Sequence, residues 1–154
     1  MKKNELIKSR ERVSRFAEVY TPKHIVRDMC DLIPSKLWND IGTAFLEPAC
    51  GNGNFLAEIY GRKLKLCGSP ADGLRALRSI YGIDIQADNV EESRQRLFDM
   101  FIGSFPDAVF RDILLAEIIL RENIICGDSL KIMEEMNRAD RKEQPHDNHR
   151  NERI

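Results

Sequence analysis

Three short apolar runs recur along the chain, at residues 44–48, 79–85 and 123–126, and each is bounded by glycine or polar residues. Runs of this length beside turn residues predict β-strands. Apolar residues at helical spacing follow each run. Because alternating strands and helices build a parallel sheet with helices on both faces, the pattern predicts an α/β fold.

Helical spacing predicts five helices around these strands. In the first, Thr21 is the expected N-cap, Pro22 takes the first helical position and Pro34 ends the helix. Its apolar stripe should face the core and consists of Ile25, Val26, Met29, Leu32 and Ile33. The others are expected from about Asn54, at 87–102, at 106–120 and at 129–136. Gly68 and Pro70, with Gly73 just beyond, predict a break at 67–72.

The two ends of the chain are polar. Residues 1–15 are charged and predict a surface arm or helix, and residues 16–22 are expected to be extended. Residues 137–154 carry almost no apolar side chain and predict a disordered tail. These boundaries leave residues 16–136 as a single domain with one core.

Composition narrows the class of protein. The chain has 154 residues, of which 42% are hydrophobic and 32% charged, as in a globular protein. It shows neither a secretory signal nor an apolar run of 18 residues, so a cytoplasmic location without membrane contact is expected. A net charge of −1 argues against a protein that coats DNA, but leaves open an enzyme that reaches DNA through a separate module. The four cysteines form no CxxC pair, so free thiols are expected rather than a zinc site.

Polar features stand at the carboxyl end of each predicted strand. They are the turn at 47–53, Asp84 and Asp128. Ligands of open parallel sheets bind beyond the carboxyl ends of the strands. The three features are therefore expected to share one site.

The glycine turn is compatible with several ligands. Gly51 and Gly53 allow positive φ values and close approach of the backbone to a ligand, which the N–H groups of the next helix would face. No Gly-Lys-Ser/Thr follows, and Leu56 occupies the third glycine position of a dinucleotide motif. A triphosphate or a dinucleotide is therefore disfavoured, and a plain tight turn is the alternative.

The carboxylates favour a cationic adenosyl ligand. Asp84 can accept hydrogen bonds from both hydroxyls of a ribose, and Asp128 from the amino group of an adenine, although each also fits a helix N-cap. Glu47, beside the glycine turn, repels phosphate and attracts a cation. Because the site is expected to lack a nearby Lys or Arg, its charge favours S-adenosylmethionine, which carries a sulfonium and an ammonium group.

Four segments resemble motifs of the amino-group DNA methyltransferases, above all the N6-adenine enzymes of restriction–modification systems. Residues 45–56 (FLEPACGNGNFL) resemble motif I of that family, and residues 18–26 (EVYTPKHIV) resemble motif X, which precedes motif I in this subgroup. Residues 81–85 (YGIDI) and 123–130 (NIICGDSL) resemble motifs II and III. The four segments stand in the family's order and cover about residues 16–133.

The resemblance implies a Rossmann-like class I methyltransferase fold, of which the chain holds the N-terminal part, and S-adenosylmethionine as the cofactor. It implies that Thr21 and the motif I turn hold the methionine portion, with Glu47 close to the α-ammonium. Phe55 and Ile85 would flank the cofactor with apolar surface, and the two aspartates would take the ribose and adenine roles. The implied cofactor-binding residues are Thr21, Glu47, Pro48, Ala49, Cys50, Gly51, Gly53, Phe55, Asp84, Ile85 and Asp128.

The family's catalytic motif IV, which is Asn or Asp followed by Pro-Pro and Tyr or Phe, has no counterpart here. The sequence contains no Pro-Pro dipeptide, and it shows no target-recognition domain. In the family, motif IV hydrogen-bonds the target amino group and stacks on the flipped base. The resemblance therefore implies cofactor binding without catalysis by this chain alone, and no catalytic or metal-binding residue is expected.

Three interpretations stay open. The first is the cofactor-binding portion of an N6-adenine DNA methyltransferase, which reaches double-stranded DNA through a missing or separate module. It is either a truncated product or one piece of a divided enzyme whose complementing subunit brings motif IV and DNA recognition. The second is a non-catalytic binding or regulatory protein that acts through a partner. The third, a methyltransferase of small molecules or proteins, fits less well with motif X ahead of Glu-Pro-Ala-Cys. Because an incomplete sheet leaves an open strand edge, self-association or a partner is expected to cover that edge.

Overall fold

The computed structural model describes residues 7–16 and 19–143. Its elements are, in chain order, α1 (Arg10–Phe16), α2 (Lys23–Asp31), a short 3-10 helix (Ser35–Trp38), β1 (Phe45–Glu47), α3 (Asn54–Leu64), α4 (Pro70–Arg78), β2 (Ile80–Asp84), α5 (Ala87–Ser104), α6 (Phe110–Asn123), β3 (Ile124–Cys126) and α7 (Ser129–Glu143). The three predicted strands are confirmed, and every strand end lies within one residue of its expected position. The architecture is the expected α/β alternation.

The three strands form one parallel sheet in the order β1-β2-β3, with β2 in the middle. Phe45 lies opposite Ile80, and Gly82 lies opposite Ile124. Parallel strands point the same way, so their carboxyl ends meet at one edge of the sheet. This edge therefore collects the segments that follow each strand.

One face of the sheet is covered by helices, since α3, α4, α5 and α6 all contact β2. On this face Ile80 is 1% exposed, and a Cβ at Gly82 would lie 2.8 Å from Leu56 Cδ1. On the opposite face Leu46 and Tyr81 pair in register and are 47% and 40% exposed. Right-handed crossovers in the order β1-β2-β3 place both connections on the same face. Helices were expected on both faces of the sheet. In the described part of the chain they cover one face, and the other is partly exposed at Leu46 and Tyr81.

The helix after Thr21 differs from its expectation. Pro22, and not Thr21, occupies the N-cap position, and no side chain caps the helix. The buried residues of α2 are Val26 and Cys30. Three residues of the expected core stripe are instead exposed: Ile25, Met29 and Leu32. The prediction was wrong because α2 packs on α3 along a narrow i, i+4 row, in which Cys30 is the second buried residue.

A helix also occupies part of the expected break at 67–72. Ser69 caps α4, because its hydroxyl accepts a hydrogen bond from Asp72 N at 3.3 Å and donates one to the Asp72 carboxylate at 2.9 Å. Pro70 takes the first helical position. Gly73 is a packing residue, since a Cβ there would collide with the ring of Phe105. Pro70 and Gly73, which indicate a loop in the sequence, thus belong to a helix.

Other ends of elements differ as well. α6 begins at Phe110 rather than near Pro106, and Asn123 ends this helix instead of opening β3. α7 continues to Glu143, into the segment expected to be disordered, and the rest of that segment lies outside the described residues. α1 lies in the segment expected to be a surface arm. No helix in the described part of the chain is long and apolar enough to cross a membrane.

Lys63 is a buried cation that joins the segments leading into β1 and β2. Its Nζ donates to Ile41 O at 2.8 Å, to Thr43 O at 2.5 Å and to Ser79 Oγ at 2.7 Å. Burial lowers the pKa of Lys63 to about 8, so the ammonium form still prevails at neutral pH. Its three protons then satisfy three acceptors, which fixes the amino ends of both strands on α3.

We expect Lys63→Met to lower the free energy of unfolding by about 3 kcal/mol, because buried acceptors would lose their donor. Urea unfolding followed by circular dichroism measures this change. Lys65→Met, at an exposed lysine next to α3, is the matched control and should change the same quantity by less than about 0.5 kcal/mol. Equal stability of the two variants would contradict the role of Lys63.

Candidate functional site

A cavity of about 280 Å³ opens at the carboxyl edge of the sheet, between the ends of β1 and β2 and the segment before α2. Its wall consists of Val19, Tyr20, Thr21, Glu47, Ala49, Cys50, Gly51, Asn52, Asn54, Phe55, Asp84, Ile85, Gln86 and Asn89. Open α/β sheets bind their ligands at this edge. The cavity therefore lies where the polar strand ends predict a site.

Eight of the eleven residues expected to bind a cofactor lie in this wall: Thr21, Glu47, Ala49, Cys50, Gly51, Phe55, Asp84 and Ile85. The structure does not bring Pro48, Gly53 or Asp128 into the wall. Pro48 is exposed, and Gly53 is buried behind the turn. These two residues shape the turn from outside the cavity.

The turn after β1 depends on two glycines in the left-handed region, Gly51 at φ +52° and Gly53 at φ +83°. A Cβ at Gly53 would lie 2.8 Å from Ser93 Oγ and 3.2 Å from Ser93 Cα, whereas a Cβ at Gly51 would meet only the Tyr20 ring, at 3.4 Å. Ser93 Oγ donates to Gly51 O at 3.0 Å, which holds the turn against α5. Position 53 thus needs glycine for close packing as well as for its backbone conformation.

Asp84 joins the turn to the end of β2. Its Oδ2 accepts a hydrogen bond from Gly51 N at 2.9 Å. Its Oδ1 accepts one from Gln86 N at 2.8 Å and one from Asn89 Nδ2 at 3.2 Å. The carboxylate is half-buried and belongs to the cavity wall. A ligand hydroxyl would therefore meet an acceptor whose position is fixed by three donors.

A second carboxylate, that of Glu47, lies at the end of β1. Its Oε1 accepts a hydrogen bond from Ala49 N at 3.2 Å, so the Glu-Pro-Ala segment turns back on itself. Together with Asp84 it gives the wall two negative charges, and among the described residues no Lys or Arg belongs to the wall. This charge suits a cationic ligand and disfavours a phosphate.

Cys50 contributes packing and not a nucleophile. Burial, reinforced by the charge of Asp84, raises the pKa of the Cys50 thiol to about 12. The thiol therefore stays protonated at neutral pH and is unreactive. Its Sγ would lie 3.2 Å from a Cβ at Gly82, so the thiol packs under the middle strand.

Two cations lie just behind the wall, which corrects the expectation that no Lys or Arg is near. Arg96 Nη1 donates to Asn52 O at 2.8 Å and to Asn54 Oδ1 at 2.9 Å. Asn54 Nδ2 in turn donates to Thr21 O at 2.9 Å, which ties the segment before α2 to the glycine turn. Lys8 Nζ donates a hydrogen bond to Asn89 Oδ1, on α5, at 2.8 Å. Both cations serve protein acceptors, and neither belongs to the cavity wall.

Asp128 caps α7 instead of lining the cavity. Its Oδ1 accepts hydrogen bonds from Leu130 N at 3.1 Å and Lys131 N at 3.4 Å, which is the N-cap alternative. The preceding residue, Gly127, donates its N–H to Asp84 O at 2.9 Å. Asp128 therefore stands beside the end of β2 without belonging to the wall.

The expected set of site residues omitted six residues of the wall: Val19, Tyr20, Asn52, Asn54, Gln86 and Asn89. The first four lie inside the segments that resemble motifs X and I. Asn89 is 1% exposed, and its Oδ1 accepts a hydrogen bond from Tyr20 OH at 2.9 Å. The only signal for it was an amide one turn after an acidic strand end.

The chain is similar to part of a methyltransferase. It is 37% identical over 81 residues to the Type II methyltransferase M.VspI of Vibrio sp. (strain 343). The matched region is 53% of this chain but only 16% of the length of that protein. No family model matches the chain, and no solved structure matches it significantly. The relationship to a methyltransferase thus rests on this sequence similarity.

We expect Gly53→Ala to lower the free energy of unfolding by about 3 kcal/mol, because the methyl group adds left-handed strain and a collision with Ser93. Gly51→Ala carries the strain alone and should cost about 1 kcal/mol. Urea unfolding compares the two. Gly103→Ala, where no atom lies within 4 Å of the added Cβ, is the control and should not destabilise. A larger loss at Gly51 than at Gly53 would contradict this account of the turn.

Proposed function

We propose that the chain binds S-adenosylmethionine and forms the cofactor-binding portion of a DNA (adenine-N6) methyltransferase of a restriction–modification system. The observation that carries the proposal is the cavity at the carboxyl ends of β1 and β2, where a left-handed glycine turn stands between two carboxylates. On its own the chain would hold the methyl donor and would lack the means to present an acceptor.

The wall offers the chemistry that each part of this cofactor needs. Asp84 would accept hydrogen bonds from the ribose hydroxyls, and Glu47 would lie near the α-ammonium. Phe55 and Ile85 supply apolar surface, and Ile85 is 58% exposed at the rim. Asp128 lies outside the wall, and the resemblance implies that it would meet the adenine amino group; its Oδ2, which lies 3.9 Å from Lys131 Nζ, makes neither of the cap hydrogen bonds.

The reaction class has separate support. The similarity to a Type II methyltransferase favours methyl transfer, and methyl transfer calls for a methyl donor such as S-adenosylmethionine. DNA as the substrate and the amino group of adenine as the acceptor rest on the resemblance of residues 18–26, 45–56, 81–85 and 123–130 to N6-adenine enzymes. Within this chain the residues of the wall would bind and orient the donor.

The acceptor side of the reaction is missing from the sequence. The chain contains no Asn/Asp-Pro-Pro-Tyr/Phe segment. Such a segment polarises the target amino group and stacks on the flipped base in the resembled family. Because positioning of the two reactants supplies a large part of the rate of a transfer reaction, the chain alone would be inactive.

A second candidate is a non-catalytic binding or regulatory protein that keeps the cavity and acts through a partner. The exposed sheet face with Leu46 and Tyr81 favours a partner in either case, since exposed apolar patches mark interaction surfaces. A reading frame immediately downstream that encodes Asn-Pro-Pro-Tyr/Phe would support the divided enzyme. Its absence would support the regulatory protein.

Calorimetric titration with S-adenosylmethionine tests the cofactor proposal. We expect the wild-type chain to bind and Asp84→Asn to bind at least about tenfold more weakly, because a charged acceptor of the ribose is lost. Asp99→Asn, at an exposed acid on α5, should bind like the wild type. Asp128→Asn tests the adenine assignment, and thermal unfolding checks that each variant is folded. Absence of binding by the folded wild-type chain would overturn the proposal.

A methyl-incorporation assay tests the proposed division of labour. With DNA and labelled S-adenosylmethionine, we expect no adenine methylation by this chain alone. Addition of a polypeptide that carries Asn-Pro-Pro-Tyr/Phe and a DNA-recognition domain, from an adjacent reading frame, should produce methylation. Incorporation by the chain alone above a no-enzyme control would refute this prediction.

A further inference from the structure

Lys8, just before α1, and Arg12, within α1, form ion pairs with acids in the first turns of α5. Lys8 Nζ lies 3.1 Å from Asp88 Oδ2 and 2.9 Å from Glu92 Oε2. The Arg12 guanidinium bonds both oxygens of Asp88, one of them at 3.1 Å. The side chains of Lys8 and Arg12 are 27% and 20% exposed, whereas those of Asp88 and Glu92 are 53% and 41% exposed, so salt screens these pairs in part. Burial opposes the charge of Lys8, but the hydrogen bonds to Glu92 and Asp88 outweigh it and raise the pKa of Lys8.

A chain of hydrogen bonds leads from Lys8 to the cavity through Asn89. Lys8 Nζ donates to Asn89 Oδ1 at 2.8 Å, and Tyr20 OH donates to the same oxygen at 2.9 Å. Two donors on the oxygen leave the amide NH₂ on the opposite side, where Asn89 Nδ2 donates to Asp84 Oδ1 at 3.2 Å. The Asn89 side chain is buried and belongs to the cavity wall. A cation on the N-terminal segment thus sets the orientation of an amide that holds Asp84.

A second branch leads from the same lysine to the glycine turn. Glu92 Oε2 pairs with Lys8, and Glu92 Oε1 accepts a hydrogen bond from Asn52 Nδ2 at 3.3 Å. Lys8 therefore bonds to groups that hold both sides of the cavity, Asp84 through Asn89 and the turn through Glu92. α1 itself does not belong to the wall, so its effect on a ligand would pass through these groups or along the chain that joins α1 to Val19.

We propose that residues 8–16, here called the strap, tune ligand affinity. Lys8 and Asn89 are the positioning residues for the carboxylate of Asp84. The inference rests on the proposed function, since the ligand is the adenosyl compound whose ribose hydroxyls would donate hydrogen bonds to Asp84. With the strap attached, Asp84 presents fixed lone pairs to the ribose. With the strap detached, Asn89 loses a donor on its oxygen and the carboxylate loses its fixed orientation.

The coupling must act in both directions, because two linked binding events change each other's affinity by the same factor. A ligand on Asp84 should strengthen the attachment of α1, although the ligand touches no residue of α1. A clamp that only stabilises the fold would share in a general slowing of exchange, and α1 would gain no more than α6, which does not belong to the cavity wall. Protection of α1 beyond that of α6 is therefore the observation that separates the two.

Titration of three variants with S-adenosylmethionine measures the effect on affinity. We expect Lys8→Met to bind about tenfold more weakly than the wild type, a typical size for coupling between sites. Lys8→Arg keeps the cation and should recover most of the affinity. Arg75→Met is the matched control, because it removes an ion pair with Asp40 of 2.9 Å outside the cavity wall, and it should leave affinity unchanged.

Hydrogen exchange measures the reverse effect and needs no variant. In the wild-type chain, S-adenosylmethionine should slow amide exchange at residues 10–16 of α1 as well as in α3. In Lys8→Met the slowing should persist in α3 and vanish in α1. If Lys8→Met does not fold, the comparison of α1 with α6 in the wild-type chain decides the matter, since general stabilisation would slow exchange in both helices.

The outcomes separate the strap from the function on which it rests. A wild-type chain that does not bind S-adenosylmethionine overturns the proposed function and the strap together. Binding by the wild type without slower exchange in α1, or with equal affinity in Lys8→Met, overturns the strap alone. Equally weak binding by Arg75→Met and Lys8→Met would also overturn the strap, since loss of any ion pair would then be enough to weaken binding.

Discussion

The hydrogen bond of 2.9 Å from Gly51 N to Asp84 Oδ2 is the contact on which the site depends. Parallel strands cannot be joined by a tight hairpin, so contacts between distant residues tie together the segments that follow them, by backbone hydrogen bonds such as Cys50 N to Ile83 O at 2.9 Å and by side chains. Asp84 does this with donors from the turn after β1 and from the start of α5. The acid that a ligand would use is thus also the acid that forms the cavity. A change at Asp84 should therefore lower stability and binding together.

Sequence reasoning succeeded where structure follows from local pattern. The three strands appeared as apolar runs, and their ends located Glu47, Gly51 and Asp84 because parallel strands all present their carboxyl ends at one edge. The left-handed turn could be anticipated because only glycine adopts such φ values readily. These inferences need only neighbours in the chain and the direction of the strands.

The errors have their cause in contacts between distant segments. Gly73 indicated a break, yet it allows the ring of Phe105 to pack against α4. The Asp128 cap is a local feature that the sequence allowed, with hydrogen bonds from Leu130 N and Lys131 N, and the role of Asp128 toward a ligand stays a prediction. For Asn89 the local signal is weak, because its importance comes from its donors and acceptors on other elements.

The exposed face of the sheet lies next to the cavity. Within the described residues β1 pairs only with β2. It carries Leu46 on the exposed face and Glu47, one residue later, in the cavity wall. A partner that covered Leu46 along the free edge of β1 would therefore arrive next to the cavity. If the chain holds the methyl donor as proposed, a partner that paired with β1 would lie close enough to the cavity to bring the acceptor as well.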